Sequence, residues 1–447
     1  MTVLQLVTAA LVTVGALRWL GPERPDAHKR GALIRTRRRS WDQWRAFWGH
    51  QPPLTLCGRP ISSRDECKHF KLIGTTGTGK STAIAELIGG ALERGDRALI
   101  TDPDGTYRAR FFDRYRGDVL LNPFDPSSVR WDPFAEIHEL YDVEQLASGL
   151  IPDCDDPSGR EWRGYARTFF VAIARHCHQR NCREVSQLWR LLAIAPNREL
   201  RALVAGTPAQ PFLEPDNARM LGSIRSVAAS AAAALATIQV QRGPAFSVRE
   251  WVRSGRGVLF IPYRAGQIAA LHSIIAAWVR LAIFEAMSCP EADQRLWFVM
   301  DELDALGAID GLKDALARLR KFGGRCVLGL QSIAQVSSCY GAGNAQTIVE
   351  NCGNTLILRC SGSEQGGTAQ FAARLIGDRE VARHQITRGH DREGPFSAQG
   401  GRRSSNFSVQ HLTEAAVMPS ELEQLPDLHG FLKTASSRAW QRVKLVR

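Results

Sequence analysis

The clearest chemistry in the chain lies between residues 74 and 82. Gly74, Thr75, Thr76, Gly77, Thr78, Gly79, Lys80, Ser81 and Thr82 fit the spacing G-x-x-x-x-G-K-[ST]. Glycines at this spacing let successive backbone N–H groups turn inward around phosphate oxygens, and the helix start that follows adds its partial positive charge. Lys80 is then placed to reach the β- and γ-phosphates of ATP, and Ser81 offers a hydroxyl to Mg²⁺. A phosphate loop of this kind needs a carboxylate from a neighbouring strand. Leu296-Trp-Phe-Val-Met300 followed by Asp301-Glu302 provides one. Asp301 falls at a strand end, where it can hold Mg²⁺, and Glu302 lies one residue further, where it can orient and deprotonate an attacking water. This pair points to a hydrolysing motor more than to a kinase. Gln331, at the end of the apolar run Cys326–Leu330, is placed to report whether a γ-phosphate is present.

These side chains need buried parallel strands to deliver them to one edge. Phe70–Ile73, Leu296–Met300 and Cys326–Leu330 are apolar runs bounded by turn residues, and Ala98–Ile100, Val119–Leu121, Val258–Ile261 and Thr355–Leu358 repeat the pattern. They alternate with helical segments such as Ala83–Leu92 and Ile309–Phe322, the latter closed by Gly323-Gly324. The expected fold is α/β, a mostly parallel sheet covered on both faces. Between Phe134 and Val240 no convincing strand occurs, and Ser223–Ile238 is almost uninterrupted helix former. This predicts an inserted all-α domain. Its stretch 160–201 holds nine arginines against Glu161, Glu184 and Glu199, which makes it a candidate nucleic-acid face. His176-Cys177-His178 with Cys182 lacks the spaced pairs of known zinc modules and reads as helix packing. Arg388–Ser408, poor in apolar residues, reads as an exposed loop.

The 447 residues carry 57 Lys+Arg against 45 Asp+Glu, a net charge of +12, with 44% hydrophobic residues. That composition excludes a disordered chain and a polytopic transporter. The ten cysteines show no framework spacing, so a reduced compartment is expected. Residues 1–17 are uncharged, and 18–45 then bring nine basic and three acidic residues. Charge after the apolar run, instead of before it, predicts a short membrane anchor with a cytoplasmic body instead of a cleaved leader. The remaining excess sits in a tail, 428–447, with five basic residues and no acid. The positive balance is therefore mostly a membrane flank and a tail, weak evidence for nucleic acid.

These motifs, in this order, resemble the type IV coupling proteins of bacterial conjugation and type IV secretion, the TraD/TraG group. The resemblance rests on Gly74–Ser81, the turn Asp102-Pro-Asp-Gly105, Leu121–Asp125 with Arg130–Phe134, the block Phe298–Gln335, and the later Asn351–Asn354 and Glu421–Asp427. It implies a RecA-like P-loop motor, six copies closing a ring, ATP at each interface, and an arginine from the neighbour completing each site. Arg320 occupies that position here. It also implies a function: receiving a relaxase bound to single-stranded DNA, or protein substrates, and passing them to the channel ATPases and inner-membrane components of a secretion system. The expected layout is an anchor at 1–20, a basic juxtamembrane segment at 21–50, motor parts at 51–127 and 246–447, and the all-α domain at 128–245. Two other readings stay open at this point: a substrate-recruiting adaptor that uses ATP as an assembly switch, and an FtsK-like double-stranded DNA translocase.

Overall fold

The computed structural model describes residues 27–35, 54–154, 156–239, 241–289, 295–363, 366–390 and 403–446. The expected anchor, 1–20, lies outside the described residues. The chain forms two compact units: the larger includes residues 54–372 and Pro419–Arg447, the smaller Ala373–Met418 with residues up to Ile34.

In the larger unit the central sheet runs in the order Trp440–Lys444, His429–Lys433, Asn354–Ile357, Phe70–Ile73, Gly324–Leu330, Leu296–Met300, Arg97–Pro103, Val258–Tyr263 and Val119–Leu120. From Asn354–Ile357 to Val119–Leu120 neighbouring strands pair in parallel, and His429–Lys433 and Trp440–Lys444 add an antiparallel edge. Side chains alternate across a sheet, so a strand buried at every position must be covered on both faces. Leu296–Met300 and Gly324–Leu330 are buried throughout. The face bearing Phe70, Leu72, Ile100, Trp297 and Val299 shares a core with Ala83, Ile84, Leu87 and Ile88 of the helix Lys80–Glu93. The strands read from the sequence are all present. The antiparallel edge was not anticipated, because His429–Lys433 and Trp440–Lys444 carry polar residues at their ends and resemble a charged tail.

Helices fill the insertion: Asp142–Leu150, Pro157–Gln179, Val185–Ala193, Asn197–Val204, Ala218–Ala231 and Ala233–Ile238. The two-residue strands Arg130–Trp131 and Ala245–Phe246 pair in parallel where the chain enters and leaves it. Glu136 fastens this neck. Its buried carboxylate accepts from the Trp131 indole at 2.7 Å and the Val248 amide at 2.7 Å. Among the described residues one helix, Ala265–Ser288, is long and apolar enough to cross a membrane. It is the core of the junction instead, burying Arg280, which donates to the Gln145 carbonyl at 2.9 Å.

The smaller unit differs from two expectations. Residues 246–447 are expected as continuous motor and Arg388–Ser408 as loop; 391–402 lie outside the described residues, while Asp378–His390 and Arg403–Ala415 form an antiparallel pair, with Ala27–Gly31 as third strand. Gly, Ser and Arg with few apolar residues over 388–408 leave no alternation of the kind that marks a half-buried strand. The antiparallel backbone ladder makes the pairing, and near its base Arg379 donates to Glu414 at 2.8 Å and Glu380 is flanked by Arg30 and Lys29.

Candidate nucleotide site

The loop after Phe70–Ile73 is held open by its neighbours. Gly74 N–H donates to the Leu330 carbonyl at 3.1 Å, Thr75 N–H to the Arg359 carbonyl at 2.9 Å, and Leu428 N–H to the Thr78 carbonyl at 3.0 Å. Gly79 has φ 112°, a backbone conformation that demands glycine, and a Cβ there would also press on Leu428 Cδ2 at 2.8 Å. The helix Lys80–Glu93 then points its N-terminus into the loop. Lys80 is buried, and its ammonium donates back to the Gly74 carbonyl at 2.6 Å. Burial pulls its pKa down, opposed by the charges of Asp301, Glu302 and Asp304.

Ser81 and Asp301 meet as the spacing implied. Ser81 Oγ donates to Asp301 Oδ2 at 2.6 Å, and the Tyr107 hydroxyl donates to the same oxygen at 2.8 Å. Asp301 Oδ1 is buried and has no hydrogen-bond partner. A buried carboxylate oxygen left bare beside a hydroxyl suits a hard cation with oxygen ligands, so these residues fit Mg²⁺. Gly329 makes the approach possible: a Cβ there would collide with the Asp301 carbonyl.

Glu302 and Gln331 join the loop in one chain of bonds. Thr76 Oγ1 donates to Gln331 Oε1 at 3.2 Å, and Gln331 Nε2 donates to Glu302 Oε1 at 2.6 Å. Burial, then the charges of Asp301 and Asp304, lifts the Glu302 carboxyl above the ordinary glutamate range. A raised carboxyl is a stronger base once ionised.

Arg320 is placed elsewhere. It opens the turn Arg320–Phe322 and is exposed, as are Arg318 and Lys321. Its charge is felt by His69, which precedes the strand Phe70–Ile73, whereas Gly74 follows it. The two are five residue steps apart along the strand, roughly 16 Å. Arg320 therefore stands at the sheet edge opposite its own phosphate loop.

Some participants escaped sequence reasoning. Asp102 accepts from the amides of Tyr107 and Arg108 at 2.9 and 2.7 Å, which aims Tyr107 at Asp301. Burial pushes the Asp102 carboxyl up to about 6. Asp304 Oδ1 and the Tyr263 hydroxyl are buried without partners near the same carboxylates. The turn Asp102–Gly105 signalled the first pair, and Asp304, two residues beyond Glu302, was the visible trace of the second. In the helical insertion, Arg167 bonds Asp153, Arg175 bonds Glu144 and Arg190 bonds Glu199, so part of the basic stretch is engaged in the fold. Cys177 is buried in its helix, and burial pushes its thiol up to about 11.

A phosphate loop on a parallel sheet, a bare strand-end aspartate and a glutamate tied through a glutamine to that loop define a RecA-like P-loop motor. The chain belongs to the type IV secretion-system coupling protein DNA-binding domain family, whose profile matches residues 53–446. It is 31% identical over 394 residues to coupling protein TraD of Escherichia coli (strain K12), a match covering 85% of this chain and 53% of TraD. A conjugal transfer protein TraG of Escherichia coli is 22% identical, with 80% of this chain and 62% of that protein covered. The chain thus spans about half to three fifths of the length of these curated relatives. The bacterial conjugative coupling protein TrwBdeltaN70, unbound, superposes with TM-score 0.82 at 29% identity, covering 95% of each chain. TrwB in complex with ADP and Mg²⁺ gives TM-score 0.81 at 29% identity, again covering 95% of each chain.

Proposed function

We propose that this chain is the ATP-hydrolysing motor of a conjugative or type IV secretion coupling protein. It binds ATP with Mg²⁺ and works as a homo-hexamer at the bacterial inner membrane, moving single-stranded DNA delivered by a relaxase toward the secretion channel. The observation that carries this reading is the chain of bonds from Thr76 through Gln331 to Glu302. It ties the loop that would hold the γ-phosphate to the base that would act on water. Likeness to TrwB, whose structures include one with ADP and Mg²⁺, supports the nucleotide and the ion.

Lys80 and the loop amides bind and orient the phosphates. Ser81 and Asp301 would hold Mg²⁺, which when bound neutralises phosphate charge. Glu302 accepts the proton of the attacking water, and Gln331 fixes the carboxylate that receives it. In the neighbouring subunit, Arg320 reaches across the interface and offsets charge developing on the γ-phosphate. The opposed positions of Arg320 and the phosphate loop suit a head-to-tail ring.

The test is steady-state ATP turnover against protein concentration, with and without single-stranded DNA. The proposal expects turnover that rises more than linearly with protein and is stimulated by DNA. Turnover strictly proportional to protein and indifferent to DNA would overturn it. The adaptor reading is separated by Glu302→Gln: normal substrate transfer with hydrolysis blocked would favour it.

A further inference from the structure

At the edge of the sheet away from the nucleotide lies a second cluster of buried charge. Arg94 caps the C-terminal end of the helix Lys80–Glu93, and both its terminal nitrogens donate to Glu66 at 2.9 Å. Glu66 also accepts from Arg325 Nε at 3.3 Å. Arg325 in turn donates to the carbonyl of Gly323, the left-handed residue that closes the Arg320 turn. Beside it His69, fully buried, accepts the Cys326 N–H on Nδ1 at 3.0 Å and so donates from Nε2 to the Leu316 carbonyl at 2.9 Å. Leu316 lies in the last turn of the helix Leu312–Leu319 that leads into Arg320. The Arg320 turn is thus gripped at both ends, by Arg325 after it and His69 before it.

The grips come from particular places. His69 immediately precedes the strand that enters the phosphate loop, and Arg94 is the C-cap of the helix that leaves it. This strand and this helix join the two grips to the two ends of the phosphate loop, a contiguous route by which the loop and the Arg320 turn can be coupled. We propose that Arg325 and His69 are positioning residues for Arg320, linked through Glu66 and Arg94 to the subunit's own phosphate loop, so that the arginine offered to the next subunit is set by the strand and helix that bind nucleotide in this one. This rests on Arg320 acting in trans.

Arg325→Met is the informative variant, because Glu66 keeps its paired bonds to Arg94 and no buried carboxylate is stranded. The experiment mixes Arg320→Ala subunits, which keep an intact nucleotide site, with Lys80→Ala subunits, which keep Arg320, and measures ATP turnover. Arg325→Met is then added to one population at a time. Added to the Lys80→Ala donor, it should cut the recovered turnover about tenfold or more, since small misplacements of a catalytic group carry losses of that order. Added to the Arg320→Ala host, it should change recovery less than about twofold. Arg325→Lys in the donor should restore part of the loss by keeping the charge. A fall of equal size in both populations would mark a general folding defect and overturn the positioning role, as would normal recovery with the Met donor. No recovery in the parent mixture would instead remove the in-trans reading of Arg320.

Discussion

The two edges of the central sheet hold buried charge in opposite ways. At the nucleotide edge, Asp301 Oδ1, Asp304 Oδ1 and the Tyr263 hydroxyl have no hydrogen-bond partners, and Glu302 is held above its ordinary pKa by burial and like charge. At the far edge Glu66, Arg94, Asp96 and Arg325 pair with one another, with the Trp297 indole donating to Asp96 at 2.9 Å. Asp301, Glu302 and Asp304 share Lys80 as their counter-charge and leave oxygens of Asp301 and Asp304 unpaired, an arrangement that costs stability, whereas a paired network fixes geometry. One edge keeps polar groups unpaired, as the proposed nucleotide site requires; at the other, Arg325 bonds the turn that Arg320 opens.

Breaking the comparison should give effects of graded size. Lys80→Ala removes the cation aimed at the phosphates and should lower turnover by about 10²-fold or more, read as steady-state ATP hydrolysis. Glu66→Ala strips two buried arginines of their shared carboxylate and should lower folding stability by about 3 kcal/mol, read by denaturant unfolding. Asp304→Asn removes a negative charge that raises the Glu302 carboxyl, so the acid limb of kcat should move to lower pH by less than about one unit. An unmoved limb would show that another group controls it.

The smallest effect concerns stability. Glu302 binds its proton more tightly folded than unfolded, so its contribution favours the fold at low pH and is lost as pH rises through the folded pKa. Glu302→Gln abolishes this loss. The nucleotide-free variant should melt slightly above the parent at pH 8, and the difference should vanish near pH 4.

The nucleotide edge was legible in the sequence because its chemistry is local. Gly74–Thr82 and Asp301-Glu302 sit at the ends of apolar runs bounded by turn residues, and Gln331 ends a third such run. The far edge was not legible. Glu66, Arg94 and Arg325 are separated by long stretches of chain, and each alone looks like an ordinary charged residue at the end of an element. Asp378–His390 and Arg403–Ala415 are hard to read for a different reason: their residues are mostly polar, which leaves no apolar period to detect. Only the fold makes these residues neighbours.

The central claim is that each working site is composite, with the phosphate loop from one subunit and Arg320 from the next. Turnover of Arg320→Ala and Lys80→Ala subunits mixed at constant total protein tests it most directly. Each variant alone should be nearly inactive. With random assembly in equal parts, an intact loop meets an intact arginine at about a quarter of interfaces, so turnover should peak there near a quarter of the parent value. A flat, inactive profile across all mixing ratios would contradict the account.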